Sequence, residues 1–371
     1  MSIVTDKSLP FLVAISKYPK IGPQRFKQLI THFKEAELIW QANLSNLKNA
    51  GLSKNIAEDF ILKRKQINPE QEIENLKKEQ IKVITIESEN YPEMLKSINN
   101  PPFLLFYKGT LKKLSRSLAI VGTRAMSAYG KQATYNIATE LSNNGLTIVS
   151  GLALGIDTIA HKSALEANGK TIAVLGSGIN KENIYPQANQ NLTEQIINSG
   201  GAIISEHPPG TEALHFHFPM RNRIVSGLSL GTLVIESKEK GGSLITAEYA
   251  LEQNRKLFAV PGNIYKQNYV GTNNLIKTGQ AKLVTNAENI LKELKIEKTP
   301  NGSTRKIINP KTEEEKIILK HLNFEPININ KLTKLTNLGF SKISSTLTMM
   351  ELNGWIKNMG NMNYALILDK E

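Results

Sequence analysis

The stretch Leu118-Ala119-Ile120-Val121-Gly122-Thr123-Arg124 joins a short apolar run to a glycine turn, and a helical pattern follows at 130–143. The same order of run, turn and helix recurs through residues 117–262. The β-rich runs lie at 118–121, 147–149, 171–175, 202–205, 232–235 and 257–260, and the later helical patterns lie near 156–167, 192–198, 220–228 and 244–253. Such alternation is typical of parallel strands joined by crossover helices. We therefore predict an α/β domain at 117–291 with a Rossmann-like, doubly wound, mostly parallel sheet.

Four further regions complete the predicted organisation. Residues 1–80 carry helix-like apolar spacing and predict a helical domain. Residues 81–116 contain proline and glycine breaks and are interpreted as a connector, although 82–86 resembles a strand. Residues 292–312, rich in Lys, Pro, Asn and Gly, are interpreted as a linker. Residues 313–371 show three helical patterns and then a strand, a turn and a strand, which predicts a winged-helix-like domain.

The first region contains two short repeats in which a glycine turn, at Gly22 and at Gly51, precedes a helical pattern. This arrangement resembles a helix-hairpin-helix (SAM-like) pair. The amides at such helix starts can hold a phosphate. A purely structural helical bundle is the alternative interpretation.

Composition excludes several classes of protein. The 371 residues include no cysteine, which excludes disulfides, cysteine-ligated metals and thiol nucleophiles. Apolar runs all fall short of 18 residues, so we expect no membrane-spanning helix, and the run at 9–15 lacks the features of a signal peptide. We expect a cytoplasmic protein. The net charge of +13 is spread along the chain and is compatible with a polyanionic partner.

Turns rich in glycine, arginine or serine follow five of the predicted strands. Glycine lets backbone N–H groups approach an anion, and a helix start adds unpaired donors and a positive dipole. Arginine can add bidentate phosphate contacts. Because these turns meet at one edge of the sheet, they predict an anion site. The candidate phosphate-binding residues are Gly122, Thr123, Arg124, Ser150, Gly151, Gly155, Gly176, Ser177, Gly178, Phe218, Arg221, Asn222, Arg223, Gly242, Ser243 and Thr246.

Signatures of catalysis are missing from the sequence. The turn at Gly122 lacks the G-x-G-x-x-G pattern, and Gly169-Lys170-Thr171 precedes a strand instead of following one, so neither a dehydrogenase nor a Walker site is expected. His215 and His217 lack a surrounding carboxylate cluster, so we expect no metal and no cofactor. Asp157 and His161 are four residues apart, and we predict a hydrogen-bonded pair that braces the loop at 150–157.

The motifs resemble those of the DNA-processing protein A (DprA/Smf) family. The resemblance rests on Ala119-Ile-Val-Gly-Thr-Arg124, on Ser150-Gly-Leu-Ala-Leu-Gly-Ile-Asp157 with His161, and on Phe218-Pro-Met-Arg-Asn-Arg223. Thr171-Ile-Ala-Val-Leu-Gly176, Ser243-Leu-Ile-Thr-Ala247 and Pro261-Gly262 complete it, over residues 90–285. It implies a protein without enzymatic activity that binds single-stranded DNA and forms a homodimer through the Rossmann-like domain. Such a protein would protect incoming single strands and help load the RecA recombinase during natural transformation.

Two other functions stay open at this stage. Gly241, Gly242, Thr246 and Glu248 resemble part of the motif of phosphoribohydrolases that act on nucleotides, although the full glycine motif is not met. A transcription regulator could instead use the C-terminal domain. Its expected recognition helix at 341–352 carries one basic residue, Lys342, which favours a protein contact over DNA binding.

Overall fold

The N-terminal region forms six short helices in the computed structural model, which describes residues 8–111, 114–297, 310–323 and 326–366. Proline stands in the first turn of the first, second and sixth helices, where its missing N–H costs no hydrogen bond. Asn43 and Asn68 cap the fourth and sixth through their side-chain oxygens. The helices are α1 (Leu9–Ser16), α2 (Pro23–Phe33), α3 (Ala36–Gln41), α4 (Leu44–Asn49), α5 (Lys54–Arg64) and α6 (Pro69–Lys78).

The described central residues form one nine-stranded sheet. The strands are β1 (Lys82–Thr85), β2 (Leu104–Gly109), β3 (Ser117–Val121), β4 (Thr147–Ser150), β5 (Thr171–Val174), β6 (Ala202–Ser205), β7 (Gly231–Val234), β8 (Lys256–Ala259) and β9 (Lys282–Leu283). Their order in space is β1-β2-β6-β5-β4-β3-β7-β8-β9. All pairings from β6 to β9 are parallel, and the β1–β2 and β2–β6 pairings are antiparallel. The predicted Rossmann-like, mostly parallel sheet is therefore confirmed.

Helices cover both faces of this sheet. They are α7 (Glu93–Lys96), α8 (Ala128–Asn143), α9 (Ile156–Glu166), α10 (Gln190–Asn198), α11 (His217–Gly227), α12 (Gly242–Glu252), α13 (Val270–Lys277) and α14 (Ala287–Glu293). Side chains alternate along each strand, so Leu118 and Ile120 of β3 pack with α8, α9 and α14 on one face. Ala119 and Val121 pack with α7, α11, α12 and α13 on the other.

The stretch predicted as a connector, 81–116, is part of the sheet. Within it β2 is hydrogen-bonded between β1 and β6, and Leu104, Leu105 and Phe106 of β2 are buried. Pro92, Pro101 and Pro102 lie between the two strands and leave both ladders intact. The prolines therefore mark a connection within the sheet, and the domain begins near residue 82 instead of residue 117.

The N-terminal helices share one apolar core with the central sheet. Leu12, Leu29 and Phe60 belong to the same buried cluster as Phe106 of β2 and Ile203 of β6. The rings of Phe26 and Phe103 stack across the junction with their centroids 3.9 Å apart. These helices consequently cover the sheet beside α10, on the face that α8 and α9 also cover.

The C-terminal region has a core of its own. It contains α15 (Glu313–His321), β10 (Ile327–Asn328), α16 (Ile329–Thr336), α17 (Phe340–Leu352), β11 (Ile356–Asn358) and β12 (Asn363–Leu366), with a small sheet ordered β10-β12-β11. Its core includes Ile318, Leu332, Leu347 and Trp355 and no residue from the central domain. The arrangement confirms the winged-helix prediction. Of the predicted linker at 292–312, residues 298–309 lie outside the described residues, and α14 runs to Glu293. No described helix could span a membrane.

Candidate nucleic-acid interface

A cavity of about 380 Å³ opens where the strand order reverses. Strands β3 and β7 are neighbours, with β4 to β6 beyond β3 and β8 and β9 beyond β7. The helix after β3 covers one face of the sheet and the helix after β7 covers the other, so the two connections separate and leave a crevice. Ligands of open α/β sheets bind at such a switch point.

Ten of the sixteen predicted residues line this cavity. They come from the turn after β3, the turn after β4, the first turns of α11 and the start of α12. These residues are Gly122, Thr123, Arg124, Gly151, Phe218, Arg221, Asn222, Gly242, Ser243 and Thr246. The structure thus brings residues 122 to 246 of the sequence together at one edge of the sheet, and phosphate binding by them stays a prediction.

The other six predicted residues lie outside the cavity lining, and structural contacts account for them. Ser150 donates a 2.6 Å hydrogen bond to the carbonyl of Ile120. Gly155 has a φ of +79°, and a Cβ there would collide with the carbonyls of Thr123 and Arg124. The remaining residues are the buried Gly176, Ser177 and Gly178 and the ion-paired Arg223.

Two backbone amides of the loop after β4 donate hydrogen bonds to the carboxylate of Asp157. Asp157 Oδ2 accepts hydrogen bonds from the backbone N–H of Gly151 at 3.0 Å and of Ala153 at 3.4 Å. Burial raises the pKa of Asp157, while the nearby Arg221 opposes that shift. The predicted Asp157–His161 pair is wrong, because Nδ1 of His161 lies 2.7 Å from Oγ1 of Thr171. Asp157 holds the amides of this loop, and Asn189 donates to the carbonyl of Leu152 at 2.8 Å. A phosphate would compete with Asp157 for these amides.

The three predicted arginines have three different environments. Arg124 is exposed, and its guanidinium lies 5.8 Å from the ring centroid of Phe218. Arg221 is 4% exposed and donates to the carbonyl oxygens of Gly151, at 2.6 Å, and Val174. Burial lowers the pKa of Arg221 to about 10. It joins the ends of β4 and β5 and shapes the cavity wall.

Arg223 forms a bidentate ion pair with Glu206. Its Nη1 and Nη2 lie 2.8 and 2.6 Å from the two carboxylate oxygens, and both side chains are about nine-tenths buried. Its Nε also donates to the carbonyl of Asn100 at 3.0 Å. Of the predicted arginines, Arg124 is therefore the one whose guanidinium is exposed to an incoming anion.

A second buried carboxylate closes the N-terminus of α8. Glu236 is fully buried and accepts hydrogen bonds from the backbone N–H of Ser127, at 2.9 Å, and from its hydroxyl. Its backbone oxygen accepts from the N–H of Thr123 at 2.9 Å. Glu236 thus occupies the positive end of this helix and holds the segment that carries Arg124.

The candidate site predicted from the sequence leaves out three cationic or titratable side chains at the cavity, and His215 is considered there only as a metal ligand. Lys238, Lys240 and His215 line the cavity, and all three are exposed. The sequence does indicate two of them, because Lys238 and Lys240 lie between a β-rich run and the glycine pair that begins a helix. That helix, α12, has no acidic residue in its first turn. The positive end of α12 and these cationic side chains therefore line the same cavity.

Large exposed apolar side chains are adjacent in sequence to His215 and Pro219, which line the cavity. Phe216 is 61% exposed, and Leu214 and Met220 beside it are also exposed. Tyr185, from the loop after β5, lies 5.5 Å from the ring centroid of Phe218. Among the residues that the structure describes, no group of His, Cys, Asp and Glu could hold a metal ion. The fold and the site define a Rossmann-like protein whose switch-point cavity is lined by exposed cationic side chains.

Comparison with known proteins identifies the family. The family model for DNA recombination-mediator protein A matches residues 82–295, and the model for the DprA winged helix domain matches 304–361. The chain therefore belongs to the DNA recombination-mediator protein A family, DprA/Smf. It is 34% identical to protein Smf of a Synechocystis species over 95% of this chain and 98% of that one. It is 47% identical to the DNA processing protein DprA of Bacillus subtilis, over 58% of this chain and 71% of that one.

Solved structures agree with this assignment. The X-ray structure of DprA from Streptococcus pneumoniae has a TM-score of 0.64 and 38% identity, covering 75% of this chain and 96% of that chain. DprA from Helicobacter pylori, described for its single-stranded DNA binding mode, has a TM-score of 0.53 and 33% identity, covering 59% and 98%.

Proposed function

We propose that the chain binds single-stranded DNA across the switch-point cavity and acts as a recombination mediator. One observation carries the proposal: Arg124, Lys238 and Lys240 surround the positive end of α12, and none of them forms an ion pair with a described residue. Unpaired cations beside free helix donors attract a phosphate backbone. The Helicobacter pylori relative, whose description concerns single-stranded DNA binding, supports the choice of ligand.

The expected binding mode has little sequence preference. Phosphate contacts position a nucleic acid without reading its bases. Exposed aromatic side chains at the rim, Phe216 above all, provide faces on which any base can stack. A double helix keeps its bases stacked inside, so this combination favours single strands.

We propose that this binding involves no chemical step. The buried carboxylates nearest the cavity are engaged, Asp157 by loop amides and Glu236 by Ser127. The phosphoribohydrolase alternative would need Glu248 at the cavity, but Glu248 is exposed and is not among the residues that line it. An assay for base release from nucleoside monophosphates addresses this alternative directly, and turnover above background would contradict our proposal.

The proposed partners follow from family membership. We propose a homodimer formed through the Rossmann-like domain, and assistance to RecA on single strands in the cytoplasm during natural transformation. Sedimentation of the purified protein tests the first. The rate of RecA filament formation on single strands, with and without the protein, tests the second.

The decisive experiment replaces Arg124 with alanine. A charge-assisted contact contributes about 1.5–3 kcal/mol, so Arg124→Ala should weaken binding roughly 10- to 150-fold on every sequence. Because one phosphate contact is lost, the plot of log K against log salt should flatten by about 0.7. Arg124→Lys should recover part of the affinity, since an ammonium lacks the bidentate geometry.

Arg116→Ala is the matched control. Arg116 is also exposed, but it immediately precedes β3 and lies at the opposite edge of the sheet. It should keep wild-type affinity and salt dependence. Equal losses in the two variants would show that binding depends on general positive charge and would contradict the cavity assignment.

A further inference from the structure

The loop between β8 and α13 exposes two large apolar side chains. Ile264 is 74% exposed, and Tyr265 is 90% exposed, more than any other large hydrophobic side chain among the described residues. Lys266 follows and is also exposed. Two adjacent exposed apolar side chains beside a cation form a candidate contact surface.

Hydrogen bonds fix the shape of this loop. Asn273 exchanges two hydrogen bonds with the backbone of Gly262, both at 3.1 Å. Asn263 accepts from the N–H of Tyr265 at 2.9 Å through its side chain, and from the N–H of Lys266 at 3.1 Å through its carbonyl. The tip is therefore a defined turn that exposes Tyr265 to solvent. Because the backbone is already ordered, a ligand that contacts Tyr265 would lose little affinity to ordering of the loop.

The loop and the residues after it are anchored on both segments that frame the cavity. Asn268 donates to the carbonyl of Ala125, which follows Arg124, at 3.2 Å. The N–H of Gly271 donates to the carbonyl of Ser237, which precedes Lys238, at 2.9 Å. Arg124 and Lys238 both line the cavity. The tip thus stands beside the mouth of the cavity, within reach of a strand whose phosphate is held there.

Phe216 and Tyr265 belong to two different connections near the cavity. Phe216 immediately precedes α11, which packs on the face that Ala119 and Val121 occupy. The loop of Tyr265 is fastened to the start of α8, where Tyr129 donates to the carbonyl of Pro261 at 2.8 Å. Helix α8 packs on the opposite face. The same loop continues into α13, which packs on the face of α11. A strand bound at the cavity would therefore have two exposed aromatic side chains near it, Phe216 and Tyr265.

We propose that Tyr265 is a stacking residue for one base of a single strand that is bound through Arg124. The inference rests on the proposed function and adds to it a contact to a base. The neighbouring cations Lys266 and Lys238 favour a nucleic acid as the occupant over a second copy of this chain, whose net charge is also positive.

The test compares Tyr265→Ala with the wild-type protein on two oligonucleotides of equal length, one intact and one with abasic sites throughout. Stacking on one aromatic residue contributes about 1–3 kcal/mol, so the variant should bind the intact strand roughly 5- to 150-fold more weakly. The salt slope should not change, because no phosphate contact is lost. On the abasic strand the two proteins should bind equally, and Tyr265→Phe should bind the intact strand as the wild type does.

Phe340→Ala is the matched control, because Phe340 is an exposed aromatic residue in the separate C-terminal core region. It should bind as the wild type does. Failure of the wild-type protein to bind the intact strand would overturn the proposed function itself. With wild-type binding present, an unaffected Tyr265→Ala variant, an equal loss on the abasic strand, or a change in sedimentation of that variant would each overturn the stacking assignment.

Discussion

At the residue scale, buried carboxylates decide which cations remain available for an anion. Glu206 engages Arg223, and Asp157 lies close enough to Arg221 to influence its pKa. Arg124 has no such partner among the described residues and faces the cavity. The three arginines look alike in the sequence. They differ because Glu206, 17 residues from Arg223, is brought to it by the fold.

The Arg223–Glu206 pair should be a determinant of stability. Arg223→Ala leaves a buried carboxylate without its partner, which typically costs about 3–5 kcal/mol in the free energy of unfolding. Urea denaturation measures this loss. Lys181→Ala is the control, because its ion pair with Glu194 is exposed and should contribute less than about 1 kcal/mol. Similar midpoints for the two variants would argue against a structural role for Arg223.

His207, which is stacked on His217, should make stability depend on pH. Their ring centroids are 4.1 Å apart, and burial lowers the pKa of His207 to about 4, with Glu206 opposing the shift. The unfolded chain takes up this proton near pH 6.5 and the folded chain does not. The contribution of neutral His207 to the free energy of unfolding is therefore complete above pH 6.5 and is lost as the pH falls to about 4.

His207→Phe keeps an aromatic ring at this position and removes the titrating group. The fall in the free energy of unfolding between pH 7 and pH 4.5 should be smaller in the variant, by up to about 3 kcal/mol. Urea titrations at several pH values measure the difference. Parallel curves for the two proteins across this range would show that His207 does not carry the effect.

At the element scale, the start of α8 is built around Glu236. A Cβ added at Gly130 would lie within 2.8 Å of both carboxylate oxygens of Glu236, closer than real contacts allow. Alanine normally stabilises a helix by up to about 1 kcal/mol relative to glycine. Here Gly130→Ala should instead destabilise by about 1–3 kcal/mol, because the carboxylate must move away from Ser127.

Thermal unfolding of Gly130→Ala tests this prediction, and single-strand affinity should fall as well, since Glu236 also holds Thr123 and hence Arg124. Gly242→Ala is the control for stability, because a Cβ in that first turn of α12 meets no atom within 4 Å. A more stable Gly130→Ala protein would show that Glu236 adjusts without loss.

The sequence predicted the parallel sheet and its turns well because each β-rich run is buried on both faces and therefore continuously apolar. Helices α4 and α6 bury one leucine each, Leu47 and Leu76, so the sequence shows only a weak apolar pattern there. It missed the antiparallel pairing of β1 and β2, because local proline signals indicate breaks without showing which strands they separate. Register between distant segments is a property of the folded chain.

The cavity was predictable as an edge of the sheet but not as a set of contacts. Parallel strands bring their carboxyl ends together, so the turns after β3, β4 and β7 had to converge. Whether a loop amide faces solvent or a carboxylate depends on tertiary packing. Asp157 lies in a motif that predicts phosphate binding, yet its carboxylate accepts the hydrogen bonds of the Gly151 and Ala153 amides.

At the scale of the whole molecule, the two ends of the chain relate differently to the centre. The C-terminal region closes its own core, and the one basic residue of α17, Lys342, pairs with Glu314 at 2.6 Å. Removing residues 301–371 should therefore leave a folded protein whose single-strand affinity changes less than tenfold. A larger loss, above about 1.4 kcal/mol, would identify this region as a DNA-binding module.

Removing residues 1–80 should have the opposite outcome. The deletion uncovers Leu104, Phe106 and Ile203, which are buried in the core shared with α1 to α6. We expect poor solubility and strong binding of an apolar dye, as for a core exposed to water. The C-terminal deletion serves as the control. A soluble, cooperatively unfolding product of residues 81–371 would show that the sheet completes its core without these helices.

The shared core also constrains the order of events during synthesis. Helices α1 to α6 leave the ribosome first, but the surface on which they pack includes Ile203 of β6, which is made more than one hundred residues later. At 5–20 residues per second the delay is on the order of ten seconds. During that time Leu12, Leu29 and Phe60 lack their final partners. Until β6 emerges these side chains can pack only against the other N-terminal helices, so slower translation of residues 80–205 should lengthen the exposure of this apolar surface.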